Sequence, residues 1–375
     1  MFRPNQTLAL LLLLAAAGSV SAQTQQPSPT TPVDKDQEQP VKVFTEEVRL
    51  PIIAFDAYGH YDPTLELADI LVLEDGVAQQ LRSLRHISAN VLFVLDTGGD
   101  GTGLGGLQKS TSLTRQVASE LVAKLQNGTS IAVMQSGNSA EMLQPWTTDK
   151  VAVLKTLRTK LVSTKRSRIS EAIVNATQQL KDRPEGSRHV VMITDGVDSP
   201  GGKVDRADAL RKLVAARATV HIISYTQFLR QKSDEKGSKI SAGQRPISND
   251  PIAATDPTLP PGTTRSPTFG VGIRFDPAMR RQRKAYEAEL KKSEPLLRNV
   301  AEETGGKWML PVNSLEMIAE ADEVARAIGA EYVVTYRPKR SLAEAKPGEY
   351  RRIDVASRRV GLSLQARRGY IVPTP

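Results

Sequence analysis

The chain of 375 residues contains no cysteine, which excludes disulfides, thiol catalysis and a cysteine-borne lipid anchor. Histidine is nearly as scarce. His60 and His86 fall in β-like segments, while His189 and His221 begin two strand-like runs, and no two have the spacing of a helical zinc pair. No apolar run after residue 22 is long enough to cross a bilayer. Aromatics make up only 5% of residues, and Tyr286 alone stands beside the most basic helix, Arg280-Arg281-Gln282-Arg283-Lys284 with Lys291-Lys292. Nucleic acid is therefore not an expected partner, and the basic helix reads as a solvated face.

What the chain does have begins at its amino end. Met1-Phe2-Arg3, an apolar core over 8–17 and Val20-Ser21-Ala22 read as a secretory signal over 1–22, cleaved after Ala22. The expectation is an exported bacterial protein, periplasmic or at the surface, with no transmembrane span once the signal is gone. Residues 23–40, rich in Gln, Pro, Thr and Asp, have little to bury and read as a disordered linker. The formal charge of +9 is concentrated at the other end. Residues 337–375 hold ten Arg or Lys against three acids, a patch that could attract an anionic envelope polymer. Alternate side chains of strands face water anyway, so a solvated face is the competing reading.

Residues 41–88 read as an amino-terminal β region, with strands over 41–55, 70–73 and 79–84. Glu74-Asp75-Gly76 forms a hairpin turn between the last two. Residues 89–330 alternate short strands with amphipathic helices over 111–126, 149–161, 169–181, 205–216, 282–303 and 315–328. That alternation predicts an α/β fold, a doubly wound and mostly parallel sheet flanked by helices. Residues 227–270 interrupt it with Pro, Ser, Gly and charge, and read as a flexible insertion. Residues 331–375 return to strands. Neither β end suffices alone, so the two are expected to share one accessory sandwich-like region around the α/β unit.

Two runs carry the functional signal. Val91-Leu92-Phe93-Val94-Leu95-Asp96 and Val190-Val191-Met192-Ile193-Thr194-Asp195-Gly196 are apolar on both faces, as central parallel strands are, and each ends in an aspartate. Open α/β sheets bind ligands just past the carboxyl ends of such strands, so two carboxylates meeting there suggest a cation site. Each aspartate taken alone is equally well a turn residue. Between them, Gly101-x-Gly103-x-x-Gly106 formally matches a dinucleotide fingerprint. It starts five residues past its strand, the next strand lacks an acidic end for a ribose, and an exported protein has little use for the cofactor. A flexible glycine loop is the better reading. An enzyme is not expected either, because Ser199 beside Asp195 has no nearby histidine in sequence to act as its base.

At Asp96-Thr97-Gly98-Gly99-Asp100 and Ile193-Thr194-Asp195-Gly196 the chain resembles the von Willebrand factor type A (VWA) domain. Glu74-Asp75-Gly76, Glu303-Thr304-Gly305-Gly306, Tyr332 with Tyr336-Arg337-Pro338, and Ala366-Arg367-Arg368-Gly369-Tyr370 extend the likeness to a secreted acidobacterial VWA-related family. The resemblance implies a metal-ion-dependent adhesion site holding Mg2+, with Mn2+ or Ca2+ as weaker candidates, completed by an acidic residue of a protein partner. Carried over, Asp96 and Asp195 take the two aspartate positions and Ser167 the threonine position. Gly98 and Asp100 stand where the family has serines. Gly98 offers no ligand and Asp100 adds a third charge, so the implied set is Asp96, Asp100, Ser167 and Asp195. The function so implied is a secreted adhesion or protein-interaction module with a partly degenerate site. The alternative is a metal-free scaffold that binds through the basic tail or the 227–270 insertion.

Overall fold

A computed structural model describes residues 46–99, 109–230, 277–346 and 348–372. The expected signal, the linker, Asp100 with its glycine loop, and residues 231–270 of the expected insertion lie outside the described residues. Residues 227–230, placed in that insertion by composition, instead belong to a helical turn whose Leu229 is fully buried in the core. Among the described residues no helix is long and apolar enough to cross a membrane.

The amino-terminal strands are β1 (Val48–Phe55), β2 (Ile70–Glu74), β3 (Val77–Ala78) and β4 (Leu81–His86). Asp75 and Gly76 turn β2 into β3 with φ of 48° and 81°, the left-handed backbone expected of Asp-Gly. The 79–84 strand, read as the hairpin partner, is corrected by the structure. The hairpin ends at Ala78, and Gln79 is buried where the chain crosses to a second sheet. Its N–H donates to the Val72 carbonyl and its side-chain oxygen accepts from the Lys339 N–H, so the crossing leaves neither group stranded.

The α/β unit follows: β5 (Asn90–Asp96), α1 (Thr111–Lys124), β6 (Ser130–Ser136), β7 (Ala140–Thr147), α2 (Lys150–Thr159), α3 (Ile169–Leu180), β8 (Arg188–Thr194), α4 (Arg206–Ala215), β9 (Thr219–Ser224), α5 (Pro277–Thr304), β10 (Trp308–Met309) and α6 (Ser314–Gly329). The sheet order is β10-β9-β8-β5-β6-β7, parallel except for the edge strand β7. Every residue of β5 is buried, as the run without alternation required. Helix α1 starts where the Ser110 hydroxyl accepts the Leu113 N–H, and it lays Leu113, Val117, Leu121 and Val122 on the sheet. Each such fully buried Leu or Val stabilises the fold by about 1.5–3 kcal/mol. The α1, α2 and α6 stripes fill one face of the sheet, and α3, α4 and the carboxyl half of α5 fill the other.

The chain closes with β11 (Tyr332–Tyr336), β12 (Tyr350–Ser357), β13 (Ser363–Ala366) and β14 (Gly369–Ile371). Two antiparallel sheets result, ordered β13-β1-β11-β4 and β14-β12-β2-β3. Each sheet draws strands from both ends of the chain, as expected, and one apolar core joins them through Leu50, Ile52, Val72, Val334, Tyr336 and Ile353.

A buried histidine pair lies in the amino-terminal halves of β8 and β9. The His189 and His221 rings stack with centroids 5.7 Å apart. The Lys307 N–H donates to His221 Nδ1 (3.3 Å), which leaves the proton on Nε2 to be shared with His189 Nδ1 at 3.4 Å. His189 Nε2 then faces Glu331 Oε1 at 3.2 Å. Burial first, then His189 and Lys307, push His221 well below the usual histidine range. The fold therefore keeps His221 neutral, while the unfolded chain protonates it below about pH 6.5. Its contribution is intact above that pH, and stability should fall by up to about 1.4 kcal/mol per pH unit below it. Urea unfolding at stepped pH should show that slope, and His221→Asn should flatten it.

Candidate functional site

Asp96 ends β5 and Asp195 follows β8, adjacent strands whose connections leave in opposite directions through α1 and α4. This is the switch point of the sheet, where a crevice opens at the carboxyl ends. The two aspartates, far apart in the chain, do meet there. The residue between them was missed by the sequence reading. Lys109 places its Nζ 2.7 Å from Asp96 Oδ2 and 2.9 Å from Asp195 Oδ1. Its side chain is 1% exposed and both carboxylates are 0% exposed, so the ion pair is sealed from water.

The surrounding donors complete the arrangement. Asp96 Oδ1 accepts the Ser167 hydroxyl (2.9 Å) and the Gly98 N–H (3.2 Å), and Oδ2 accepts the Thr194 hydroxyl (2.7 Å). Asp195 Oδ1 accepts the Val197 N–H at 3.0 Å, and Oδ2 accepts the phenol of Tyr286 on α5. Ser293, two turns further along α5, donates to the Asp195 carbonyl at 2.6 Å. Between them, Gly196 (φ 70°) brings the backbone against Leu297, where a Cβ would lie 2.8 Å from its Cδ1. Helix α5 thus closes over the Asp195 loop.

Burial pushes the Asp96 carboxyl up, opposed by Lys109 and reinforced by Asp195. Burial alone would depress Lys109, but the Asp195 and Asp96 carboxylates outweigh it and raise its pKa. The direction that follows from the geometry is a persistent ammonium held by two acids.

Of the expected ligands, the structure brings Asp96, Ser167 and Asp195 together, and Asp100 lies outside the described residues. Gly98 is there for a steric reason. It bridges in parallel to Thr164, and a Cβ would stand 2.2 Å from the Arg166 carbonyl oxygen. No serine fits without moving that loop. Ser199 is equally committed, accepting the Ser167 N–H (2.8 Å) and donating to the Gly99 carbonyl (2.9 Å). His189 lies near the far end of β8, about 20 Å from Asp195 at 3.3 Å per residue, and His221, level with Val191, is still about 13 Å away along the strands. Asp198 caps α3 by accepting the Ser170 N–H and hydroxyl.

The site residues described, Asp96, Ser167 and Asp195 around Lys109, do not fit a divalent ion as they stand. Mg2+ takes six oxygens at 2.0–2.1 Å in near-octahedral order and keeps waters to complete them. Here the carboxylate oxygens already surround a nitrogen at hydrogen-bond distances, in a space without solvent exposure.

The loops above the site are polar in a different way. Lys165, Arg166 and Lys203 are exposed, beside a half-exposed Val162 (53%). Arg168 ties the two loops together by donating to the Ser199 carbonyl at 2.7 Å. In the basic tail, by contrast, half of the ten cations are internally compensated. Arg340, Arg351, Arg352, Arg359 and Arg368 pair with carboxylates, and Arg367 is buried with burial lowering its pKa to about 10.

Fold and site together define an α/β domain with a mouth at the switch point and paired aspartates at its floor. Residues 91–197 match the family model described as von Willebrand factor type A domain, and the chain contains that domain. Among solved structures it is similar to the conserved hypothetical protein BatB from Bacteroides thetaiotaomicron, at 24% identity over 36% of this chain and 66% of that one (TM-score 0.30). It is also similar to a von Willebrand factor type A protein from Catenulispora acidiphila, at 10% identity over 88% and 74% (TM-score 0.41). The PilB minor pilin from Streptococcus sanguinis is similar at 10% identity over 66% and 62% (TM-score 0.38). No curated protein matches the chain.

Proposed function

We propose that the protein is an exported interaction module that docks an acidic protein surface on the loops above the switch point, and that it is not an enzyme. One observation carries the reading. The loops over 162–168 and 196–203 expose Lys165, Arg166 and Lys203, while their single acid, Asp198, is spent on capping α3. Such a rim attracts carboxylates and speeds encounter with an acidic partner. The hydroxyls that catalysis would need are bound to carboxylate or carbonyl oxygens, and no histidine reaches them. The sandwich holds the α/β unit by both ends through the paired strands β4 and β11.

The binding surface proposed is the rim rather than the carboxyl-terminal tail, because five of the tail's ten cations pair with carboxylates and a sixth, Arg367, is buried within the fold. Capture of partners from envelope extract should drop at least tenfold in a Lys165→Glu/Arg166→Glu/Lys203→Glu variant, a loss of about 1.4 kcal/mol or more. Capture should also weaken with rising salt, as exposed charge contacts do. Capture that survives the triple reversal unchanged would refute the rim.

A further inference from the structure

We propose that Lys109 is a built-in cation: its ammonium does the work of a divalent ion at the aspartate pair and makes the closed top face independent of metal.

The spacing supports this first. A nitrogen 2.7 Å and 2.9 Å from the two acids holds them roughly 0.7 Å further out on each side than Mg2+ would. To take up the ion, the site would have to expel the ammonium, contract and admit several waters. Both carboxylates have 0% exposure and a helix lies across one of them.

The second argument is saturation. All four carboxylate oxygens accept at least one hydrogen bond, from Lys109, Ser167, Thr194, Tyr286 and two backbone N–H groups. One positive charge faces two negative ones, and these neutral donors stabilise the remaining charge without a second cation. An isolated pair of buried acids would instead have to take up a proton or a metal.

The third is the position of Lys109. It immediately precedes Ser110, the N-cap of α1, where the helix dipole disfavours a cation. A lysine held there needs a stronger attraction than solvent offers, and the aspartate pair provides it.

The test uses the purified full-length chain alone, so it can fail separately from the partner reading. Melting is compared in EDTA and in millimolar Mn2+, and lysine accessibility is mapped with an amine-acylating reagent and peptide mass spectrometry. The expected result is a melting temperature that agrees between buffers to within about 1 °C, with Lys109 unmodified in both while Lys165 and Lys203 react. A saturable Mn2+-induced rise that disappears in Asp96→Asn would overturn the proposal. Should that variant not fold, the native chain still decides. Modification of Lys109 in EDTA would show that the ammonium is not held inside. Modification only after Mn2+ is added would show that a metal displaces it.

Discussion

Lys109→Met should cost about 3–5 kcal/mol of folding stability, the range for removing one partner of a buried ion pair. Methionine keeps the length of the side chain, so the loss comes from charge. Asp96 would face Asp195 with no cation and no solvent, so the burial and neighbouring carboxylate that already push the Asp96 carboxyl up would act without the opposing ammonium. Groups whose folded pKa is raised support stability below their unfolded pKa and lose it as pH rises. The variant should therefore be closest to wild type near pH 4 and fall furthest behind near pH 8. In the native chain the sign for Lys109 is that of a raised cation: its contribution is present below about pH 10.5 and is lost as pH climbs through the folded value. Urea titrations of both proteins across pH test the two statements together. A variant equally destabilised at pH 4 and pH 8 would mean that packing, not charge, is the cause.

Arg351→Met should be as damaging at the other end of the molecule, again by about 3–5 kcal/mol. Arg351 is fully buried between the sandwich sheets, with its guanidinium 2.8 Å from Glu74 Oε1 and donating to the carbonyls of Arg340 and Ser341. Glu74 is 4% exposed and also accepts the hydroxyls of Tyr336 (2.7 Å) and Tyr370 (3.2 Å). Burial and the Glu74 carboxylate push both tyrosines well above their ordinary range, so they remain donors at any physiological pH. Removing the guanidinium strands a carboxylate and two carbonyls in an apolar core. Adding Glu74→Gln to Arg351→Met should recover part of the loss, since the amide can still accept both phenols without a buried charge. A double variant no more stable than the single one would shift the cause to the lost arginine stem.

Both sites were partly legible in the sequence, for reasons that differ residue by residue. Strands apolar on both faces announce a covered parallel sheet, so β5 and β8 and the meeting of Asp96 with Asp195 followed from pattern alone. Ser167 was reached through the family resemblance and lies where it was expected, on Asp96. Lys109 was not. It is the only charged residue between Asp100 and Arg115, a faint signal, and periodicity cannot say that a lysine before a helix points inward. Gly98 was read as a missing ligand because nothing local reveals that the Arg166 carbonyl presses on it from a loop nearly seventy residues away. Gln79 misled for the same reason: the strand pattern of 77–84 continues smoothly, and only the Lys339 N–H and the second sheet explain the crossing. The tail's net charge was visible, whereas its partial compensation by Asp62, Glu74 and Glu302 depends on residues distant in the chain being brought together. Local pattern reports which faces are covered, and it is silent on what covers them.

The sharing of strands between the two ends has a kinetic side. β1 finds its neighbours β11 and β13, and β2 its second neighbour β12 beyond the local hairpin with β3, only in residues beyond 331, so a chain emerging amino end first must wait for nearly its whole length before either sheet can be completed. In the interval the α/β unit can fold and bring His86 and Tyr332 side by side, shortening the search for the late strands. The inserted unit is then a clasp for the sandwich, and damage at the aspartate pair would delay closure of the β-structure at its ends.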